Sequence, residues 1–64
     1  MYKVGDKLRR RGRHLVTIIY VIIAKTYTDW TQETIYTIER TNFGNRITDE
    51  ISEDTLNKDY VKIK

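Results

Sequence analysis

The residues best suited to chemistry form one basic run near the start of the chain. Lys7 is followed by Arg9-Arg10-Arg11-Gly12-Arg13-His14, which places four guanidinium groups and an imidazole around a glycine. A guanidinium donates paired hydrogen bonds to phosphate or carboxylate oxygens, and a glycine at a turn lets another molecule approach the backbone. The run predicts a binding surface for nucleic acid or another anionic partner. The candidate residues are Lys7, Arg9, Arg10, Arg11, Arg13 and His14.

A second interpretation of the same run is a solvated edge of a sheet. The residues that follow it, Leu15 to Ala24, are uncharged, and seven of the ten are Val, Ile or Thr. Such a composition favours strands and, where it is exposed, aggregation. Charged residues beside the segment would discourage edge-to-edge pairing. The sequence leaves both interpretations open.

Three aromatic residues, Tyr27, Trp30 and Phe43, are candidates for an interface or for stacking on a base. Trp is a frequent anchor in protein interfaces, and its ring can stack on a base or receive a cation. The alternative for Trp30 is that it covers the open end of a small barrel. Phe43 lies at the tip of a predicted hairpin, where a ring is hard to bury, and this favours an interface.

The residue types needed for catalysis are scarce. The chain has no cysteine and one histidine, which excludes disulfides, thiolate zinc sites and a cysteine nucleophile. No Ser–His–acid set and no glycine-rich phosphate loop can be assembled. The acids Asp49, Glu50, Glu53 and Asp54 lack the alternating spacing of a calcium loop. We therefore expect no enzyme activity, no catalytic residues, no cofactor and no metal site.

The charge of the chain is distributed unevenly. A length of 64 residues fits one small domain, residues 1–64, and the net charge is only +3. Residues 1–25 carry seven Lys or Arg and one acid, a net of +6, whereas residues 26–64 carry a net of −3. The modest total therefore conceals a dipolar molecule.

The region from Lys7 to Lys25 superficially resembles a secretory signal, because a basic stretch precedes an apolar one. The apolar run is about half of the ~20 residues that span a bilayer, and its residue types favour a strand. We expect a buried strand here, no membrane association and a cytoplasmic location.

The composition predicts an all-β domain, since nine Ile and nine Thr accompany one Ala. Glu33 to Thr41 alternates as a half-buried strand does, with Tyr36 and Ile38 on one face. The apolar run has apolar residues on both faces, which favours a strand that bends. The predicted strands are Lys7–Arg10, His14–Thr26, Glu33–Thr41, Arg46–Ile51 and Tyr60–Ile63.

Turn residues separate these strands. Val4-Gly5-Asp6 predicts a turn before the first strand, and Tyr27 to Gln32 predicts a loop. Asn42-Phe43-Gly44-Asn45 is the clearest hairpin signal, because Asn and Gly tolerate positive φ. Ser52 to Leu56 predicts a single helical or 3₁₀ turn that Ser52 caps.

This order of elements resembles that of the small SH3-like barrel proteins of phages and low-GC bacteria. The resemblance is carried by Val4-Gly5-Asp6-Lys7-Leu8, by Tyr36-Thr37-Ile38 and by Ile51-Ser52-Glu53-Asp54-Thr55-Leu56. It implies a five-stranded barrel with a short helical turn before the last strand. It implies no single function, because adaptors, nucleic-acid binders and inhibitors share the fold.

Three functional hypotheses follow. The first is a non-catalytic module that binds nucleic acid or another anionic partner through the basic run. The second is a phage-type inhibitor or adaptor that docks on a host protein through Trp30 and Phe43. The third is an oligomeric protein that sequesters an anionic small molecule. A homodimer is compatible with all three, because it could cover the second face of the apolar run.

Overall fold

Five antiparallel strands form one sheet in a computed structural model of the chain. The structure describes residues 2–12, 18–42 and 44–63. The strands are ordered β4-β3-β2-β1-β5 across the sheet. In chain order the elements are β1 (Lys7–Arg10), β2 (Tyr20–Thr28), β3 (Glu33–Asn42), β4 (Asn45–Ser52), α1 (Glu53–Asp59) and β5 (Tyr60–Lys62).

The prediction of an all-β chain with five strands and one short helical segment is confirmed. The closed barrel is not confirmed, because β4 and β5 are the two edges of the described sheet and the sheet is open. β5 has only three residues and pairs with β1 alone among the described strands, so it does not reach the opposite edge. In the described ranges, no helix has the length and apolar character needed to cross a membrane.

The core lies on one face of the sheet, against α1. On β3 the predicted alternation is confirmed, because Tyr36 and Ile38 are buried and the residues between them are not. Tyr20 on β2 and Tyr60 on β5, the strands on either side of β1, meet edge to face with their ring centroids 5.2 Å apart. The buried apolar side chains are Leu8, Tyr20, Ile22, Tyr36, Ile38, Leu56 and Tyr60.

A β-bulge changes the register of β2. Ile22 lies opposite Ile38, but the next pairing joins Ala24 to Thr37, so Ile23 is the extra residue. This irregularity agrees with the expectation of a bent strand. After the bulge, Lys25 lies opposite Tyr36 and shares its face.

The bounds of β2 differ from the prediction at both ends. The strand begins at Tyr20, whereas residues 14–17 of the predicted His14–Thr26 strand lie outside the described residues. It continues to Thr28, because Tyr27 pairs with Thr34 and Thr28 with Glu33. The predicted loop from Tyr27 is therefore shorter and comprises residues 29–32.

Ser52 starts α1 as predicted. Its hydroxyl accepts a hydrogen bond from the Thr55 backbone N–H at 3.3 Å, which satisfies one free donor of the first turn. The helix then continues for seven residues, longer than the predicted single turn. Leu56 is fully buried and anchors the helix to the sheet.

The turn before β1 is fixed by Asp6. Gly5 has φ 97°, a left-handed value that favours glycine, and its N–H donates to the Ile22 carbonyl at 2.8 Å. The Asp6 carboxylate accepts the Lys3 backbone N–H at 3.0 Å and lies 3.5 Å from Lys62 Nζ. The Lys3 hydrogen bond, with the charge of Lys62, lowers the pKa of Asp6. These contacts set where β1 begins.

The β3–β4 hairpin lies where the sequence predicts it. Asn42 pairs with Asn45, and Gly44 has φ 81° in the turn between them. A two-residue loop of this kind needs positive φ, which glycine adopts without strain. The hairpin directs β4 back along β3 for its full length.

Candidate functional site

Strand β1 distributes its basic side chains over two faces of the sheet. Leu8 is fully buried, so its neighbours Lys7 and Arg9 share the opposite, exposed face. Arg10 lies on the same face as Leu8, at the margin of the core, with its guanidinium carbon 5.9 Å from the Tyr60 ring centroid. That distance is within the range of a cation–π contact. The basic run is therefore not one continuous patch.

Arg11 joins β1 to the end of the helix. Its backbone N–H donates to the Asp59 carbonyl at 2.7 Å, and its guanidinium donates to the Asn57 carbonyl at 3.3 Å. The last carbonyls of a helix carry partial negative charge, which a cation stabilises. Arg11 thus has a structural role in addition to any role in binding.

Further bases come to the same end of the molecule from other elements. Val21 pairs with both Lys7 and Glu39, so the part of β3 beyond Glu39 extends past Lys7 toward the end at which β1 finishes. Arg40 on β3 and Arg46 on β4 lie there, and Lys58 lies in the last turn of α1. Arg40 is opposite Ile47 and Arg46 is opposite Thr41, so the two arginines lie on opposite faces of the sheet. We call this group the cationic end. It comprises Arg9, Arg10, Arg11, Arg40, Arg46 and Lys58.

Acids are present at the cationic end but are fewer. Glu39, Asp49 and Asp59 lie among the six bases, so the described side chains retain an excess of positive charge. Burial, and next the negative field of the neighbouring Tyr20, raise the pKa of Tyr60, so its hydroxyl stays protonated well above neutral pH. Arg13 and His14 of the predicted site lie outside the described residues.

Sequence reasoning missed Arg40, Arg46 and Lys58. They are far along the chain from Arg9, and only the pairing of β3 with β2 and β4 brings them to one end. A usable signal exists for two of them, since Arg40 and Arg46 both lie within two residues of the predicted Asn42–Asn45 turn. The hairpin turn alone does not predict that these two arginines lie at the same end as β1, because that placement also depends on the order of the strands in the sheet.

The turn between β2 and β3 carries the exposed aromatic residues. Trp30 is 91% exposed and Tyr27 is 58% exposed, so neither belongs to the core. The interpretation in which Trp30 covers the end of a barrel is therefore wrong. The physical reason is the length of the hairpin, which continues to the Thr28–Glu33 pair and carries Trp30 away from the sheet's buried face. We call residues 27–34 the hairpin tip.

The hairpin tip and the cationic end are far apart. Val21 lies beside Lys7, and Thr28 is seven residues further along β2, which corresponds to roughly 23 Å of strand. The longest dimension of the molecule is 39 Å. Trp30 and the arginines of β1 thus lie toward opposite ends and cannot form one compact site.

The Asn42–Asn45 turn, which contains Phe43, does not lie beside the hairpin tip. Phe43 lies outside the described residues, but Asn42 and Asn45 on either side of it pair at the end of β3 opposite to the hairpin tip. β3 has ten residues, about 33 Å of strand, between the two turns. A single small interface that uses both the Trp30 turn and the Asn42–Asn45 turn is therefore not favoured.

A half-open cleft of about 180 Å³ lies between the start of β3 and the start of α1. Two of its acids, Glu33 and Asp54, are exposed, and Glu53 is half-buried. The remaining lining is polar. The residues that line the cleft are Gln32, Glu33, Thr34, Ser52, Glu53 and Asp54.

Glu53 also takes part in a polar cluster at the margin of the core. The Tyr36 hydroxyl donates to Glu53 Oε2 at 3.0 Å and lies 3.4 Å from the Tyr2 carbonyl. Burial, followed by this hydrogen bond, raises the pKa of Tyr36. Lys25 Nζ donates to the same Tyr2 carbonyl at 3.2 Å and lies 5.5 Å from the Tyr36 ring centroid. These contacts tie the N-terminal segment to the sheet.

Among the residues described here, no three His, Asp or Glu side chains are grouped so that they could hold a metal ion. Comparison with known proteins gave no match to a family model, a curated protein or a solved structure. The function must therefore be argued from the two surfaces themselves.

Proposed function

We propose that this protein is a non-catalytic binding module that engages nucleic acid or another polyanion through its cationic end. The observation that carries the proposal is the convergence of bases from β1, β3, β4 and α1 at one end of an elongated molecule. Bases from separate elements that meet at one end form the electrostatic footprint expected of a phosphate-binding surface.

The individual side chains have different parts in this proposal. Arg9 and Arg46 are exposed, so their guanidinium groups can reach phosphate oxygens without breaking a buried contact. Arg10 and Arg11 keep their contacts with Tyr60 and Asn57 and contribute charge from fixed positions. Arg13 and His14 follow directly in the chain and remain candidates on the sequence alone.

The aromatic residues do not assist this surface. Trp30 lies at the opposite end, so stacking of a base on its ring is not combined with the arginine contacts. Affinity would come from charge and would fall steeply as salt rises. We infer weak sequence preference for the same reason, because phosphate contacts position a nucleic acid without reading its bases.

The fold supports the SH3-like assignment as a further proposal. The short strand β1, the long irregular β2, the β3–β4 hairpin and a helix directly before β5 follow the order that the resemblance implies. In that setting, the cationic end is built from β1, the β3–β4 hairpin and the end of α1.

The proposal is tested by the binding of a fluorescently labelled short DNA or RNA, measured as anisotropy at low salt. We expect binding by the wild-type protein and weaker binding by Arg9→Gln and Arg46→Gln, since both side chains are exposed. Lys3→Gln is the matched control, because it removes one exposed charge away from the cationic end. Absence of binding at low salt, or equal losses in Lys3→Gln and Arg9→Gln, would show that the proposal is wrong.

A second candidate function is favoured by one specific observation. The near-complete exposure of Trp30 supports a protein-interaction module, such as an inhibitor or adaptor, that docks through the hairpin tip. Such an interface would use Tyr27 and Trp30 but not the Asn42–Asn45 turn that contains Phe43. Pulldown with Trp30→Ala as the negative control tests it, since recovery of a partner by that variant would contradict docking through the tip.

A further inference from the structure

The hairpin tip exposes aromatic surface that the fold does not need. Trp30 is 91% exposed and Tyr27 is 58% exposed, and both lie beyond the last buried residue of β2, Ile22. Large rings supply much of the energy of protein interfaces, where Trp and Tyr are enriched. An isolated exposed ring needs no explanation, but two rings on one protruding hairpin form a surface that can be covered.

The surroundings of these rings are negatively charged. The hairpin tip, residues 27–34, contains Asp29 and Glu33 but no Lys, Arg or His. Across the cleft, the start of α1 contributes Glu53 and Asp54. The tip therefore presents aromatic rings within a field that attracts cations and repels phosphates.

The base that precedes the tip along the chain already makes contacts of its own. Lys25 precedes the tip on β2, and its ammonium group donates to the Tyr2 carbonyl at 3.2 Å. It also lies over the Tyr36 ring, so its charge is directed at the N-terminal segment. Glu33 and Asp54 are both exposed and can receive charged groups from a partner.

We propose that the hairpin tip docks a positively charged protein segment, in which an arginine or lysine packs on Trp30 and neighbouring cations meet Glu33 and Asp54. The ring face of Trp is the most favourable aromatic surface for a cation, and nearby carboxylates strengthen the attraction. This surface is separate from the cationic end and does not depend on polyanion binding. With both surfaces, the protein would hold a polyanion at one end and a basic protein segment at the other.

The experiment uses two labelled peptides, one alternating Arg and Gly and one alternating Glu and Gly, titrated with the full chain at low salt. Binding is followed by the anisotropy of the peptide label and by the emission of Trp30, the only Trp in the chain. We expect the Arg peptide to bind with a change in Trp30 emission. The Glu peptide, a polyanion that the cationic end can bind, is expected to leave Trp30 emission unchanged, because Trp30 lies at the opposite end.

Variants locate the contact. Trp30→Ala is expected to lower the affinity for the Arg peptide by about tenfold or more, which is the loss typical when an interface anchor is truncated. Glu33→Gln and Asp54→Asn are each expected to weaken it about two- to fivefold, in keeping with exposed ion pairs. Arg9→Gln is the matched control at the other end and should bind the Arg peptide as the wild-type protein does.

Several results would overturn this inference. Equal changes in Trp30 emission with the two peptides, or equal binding of the Arg peptide by Trp30→Ala and wild type, would remove the tip as its site. A change in Trp30 emission on raising the concentration of the protein alone, without peptide binding, would show that a second copy occupies the tip. Loss of nucleic-acid binding leaves this inference intact, because Arg9→Gln and Trp30→Ala separate the two ends.

Discussion

The cationic end and the hairpin tip differ in how far their functional side chains are also structural. At the cationic end, Arg10 lies over the Tyr60 ring and Arg11 donates to the last turn of α1. At the tip, Trp30 is almost fully exposed. In a surface built from several elements, some of the binding residues also stabilise the fold. A protruding turn can present an aromatic ring that has no part in the stability of the fold.

This difference predicts how substitutions behave. Changes at Arg10 or Arg11 of the cationic end should alter both the free energy of unfolding and binding, while changes at the tip should alter binding alone. The helix connects the two regions, because its first turn lines the cleft near the tip and its last turn receives Arg11. Removal of its anchor therefore tests both regions together.

The largest effect is expected for Leu56→Ala. Leu56 is the buried residue of α1 and is fully enclosed, so its truncation leaves a cavity. We expect the free energy of unfolding to fall by about 2–5 kcal/mol, which is a large part of the stability of a domain this small. Urea unfolding followed by circular dichroism measures it. A loss below about 1 kcal/mol would mean that α1 does not hold the two regions together.

A smaller effect is expected for Arg11→Ala. The substitution removes the guanidinium bond to the Asn57 carbonyl and the favourable charge at the end of α1. We expect a loss of about 0.5–1 kcal/mol in the free energy of unfolding. Arg9→Ala is the control, because Arg9 is exposed and lies on the face of the sheet opposite to the core. If both variants unfold at the same urea concentration, Arg11 has no special structural role.

The stability of the turn before β1 is expected to depend on pH through the carboxylate of Asp6. Its pKa is lowered in the folded state from an ordinary value of 3.8, so folding favours the ionised carboxylate. The corresponding stability is present above that ordinary pKa and is lost as the pH falls through the lowered value. Asp6→Asn should therefore have a flatter dependence of Tm on pH below about pH 4. Parallel curves for the two proteins would contradict this role.

The smallest effect on stability is expected at the tip. Trp30→Ala should change the free energy of unfolding by no more than about 0.5 kcal/mol, because the ring buries almost no surface. The same urea titration measures it, with Leu56→Ala as the reference for a buried residue. A loss comparable to that of Leu56→Ala would show that Trp30 belongs to the core and that the contrast between the regions is wrong.

Local chemistry made much of the fold predictable. Alternation places Tyr36 and Ile38 on one face of a strand, and both are buried. Ser52 is predicted as a helix cap because its hydroxyl suits the first-turn N–H groups. The Asn42–Asn45 turn followed from glycine at a position of positive φ. In each case the determining interaction lies within a few residues of the chain.

Long-range packing made the remainder unpredictable. The last turn of α1 receives a hydrogen bond from Arg11 at the Asn57 carbonyl, and the two residues are separated by 46 positions. The exposure of Trp30 depends on how far β2 and β3 stay paired beyond the core. The cationic end was predicted only in its β1 part, because Arg40, Arg46 and Lys58 reach it through the strand order.

The most direct test of the central claim is the salt dependence of duplex DNA binding by wild type, the double variant Arg9→Gln/Arg46→Gln, and Trp30→Ala. Each phosphate contact contributes roughly −0.9 to the slope of log affinity against log salt. If duplex DNA binds at the cationic end, the double variant, which loses two phosphate contacts, should have a slope shallower than that of wild type by about 1.8. Trp30→Ala should keep the wild-type slope. An unchanged slope in the double variant, or a shallower one in Trp30→Ala, would contradict it.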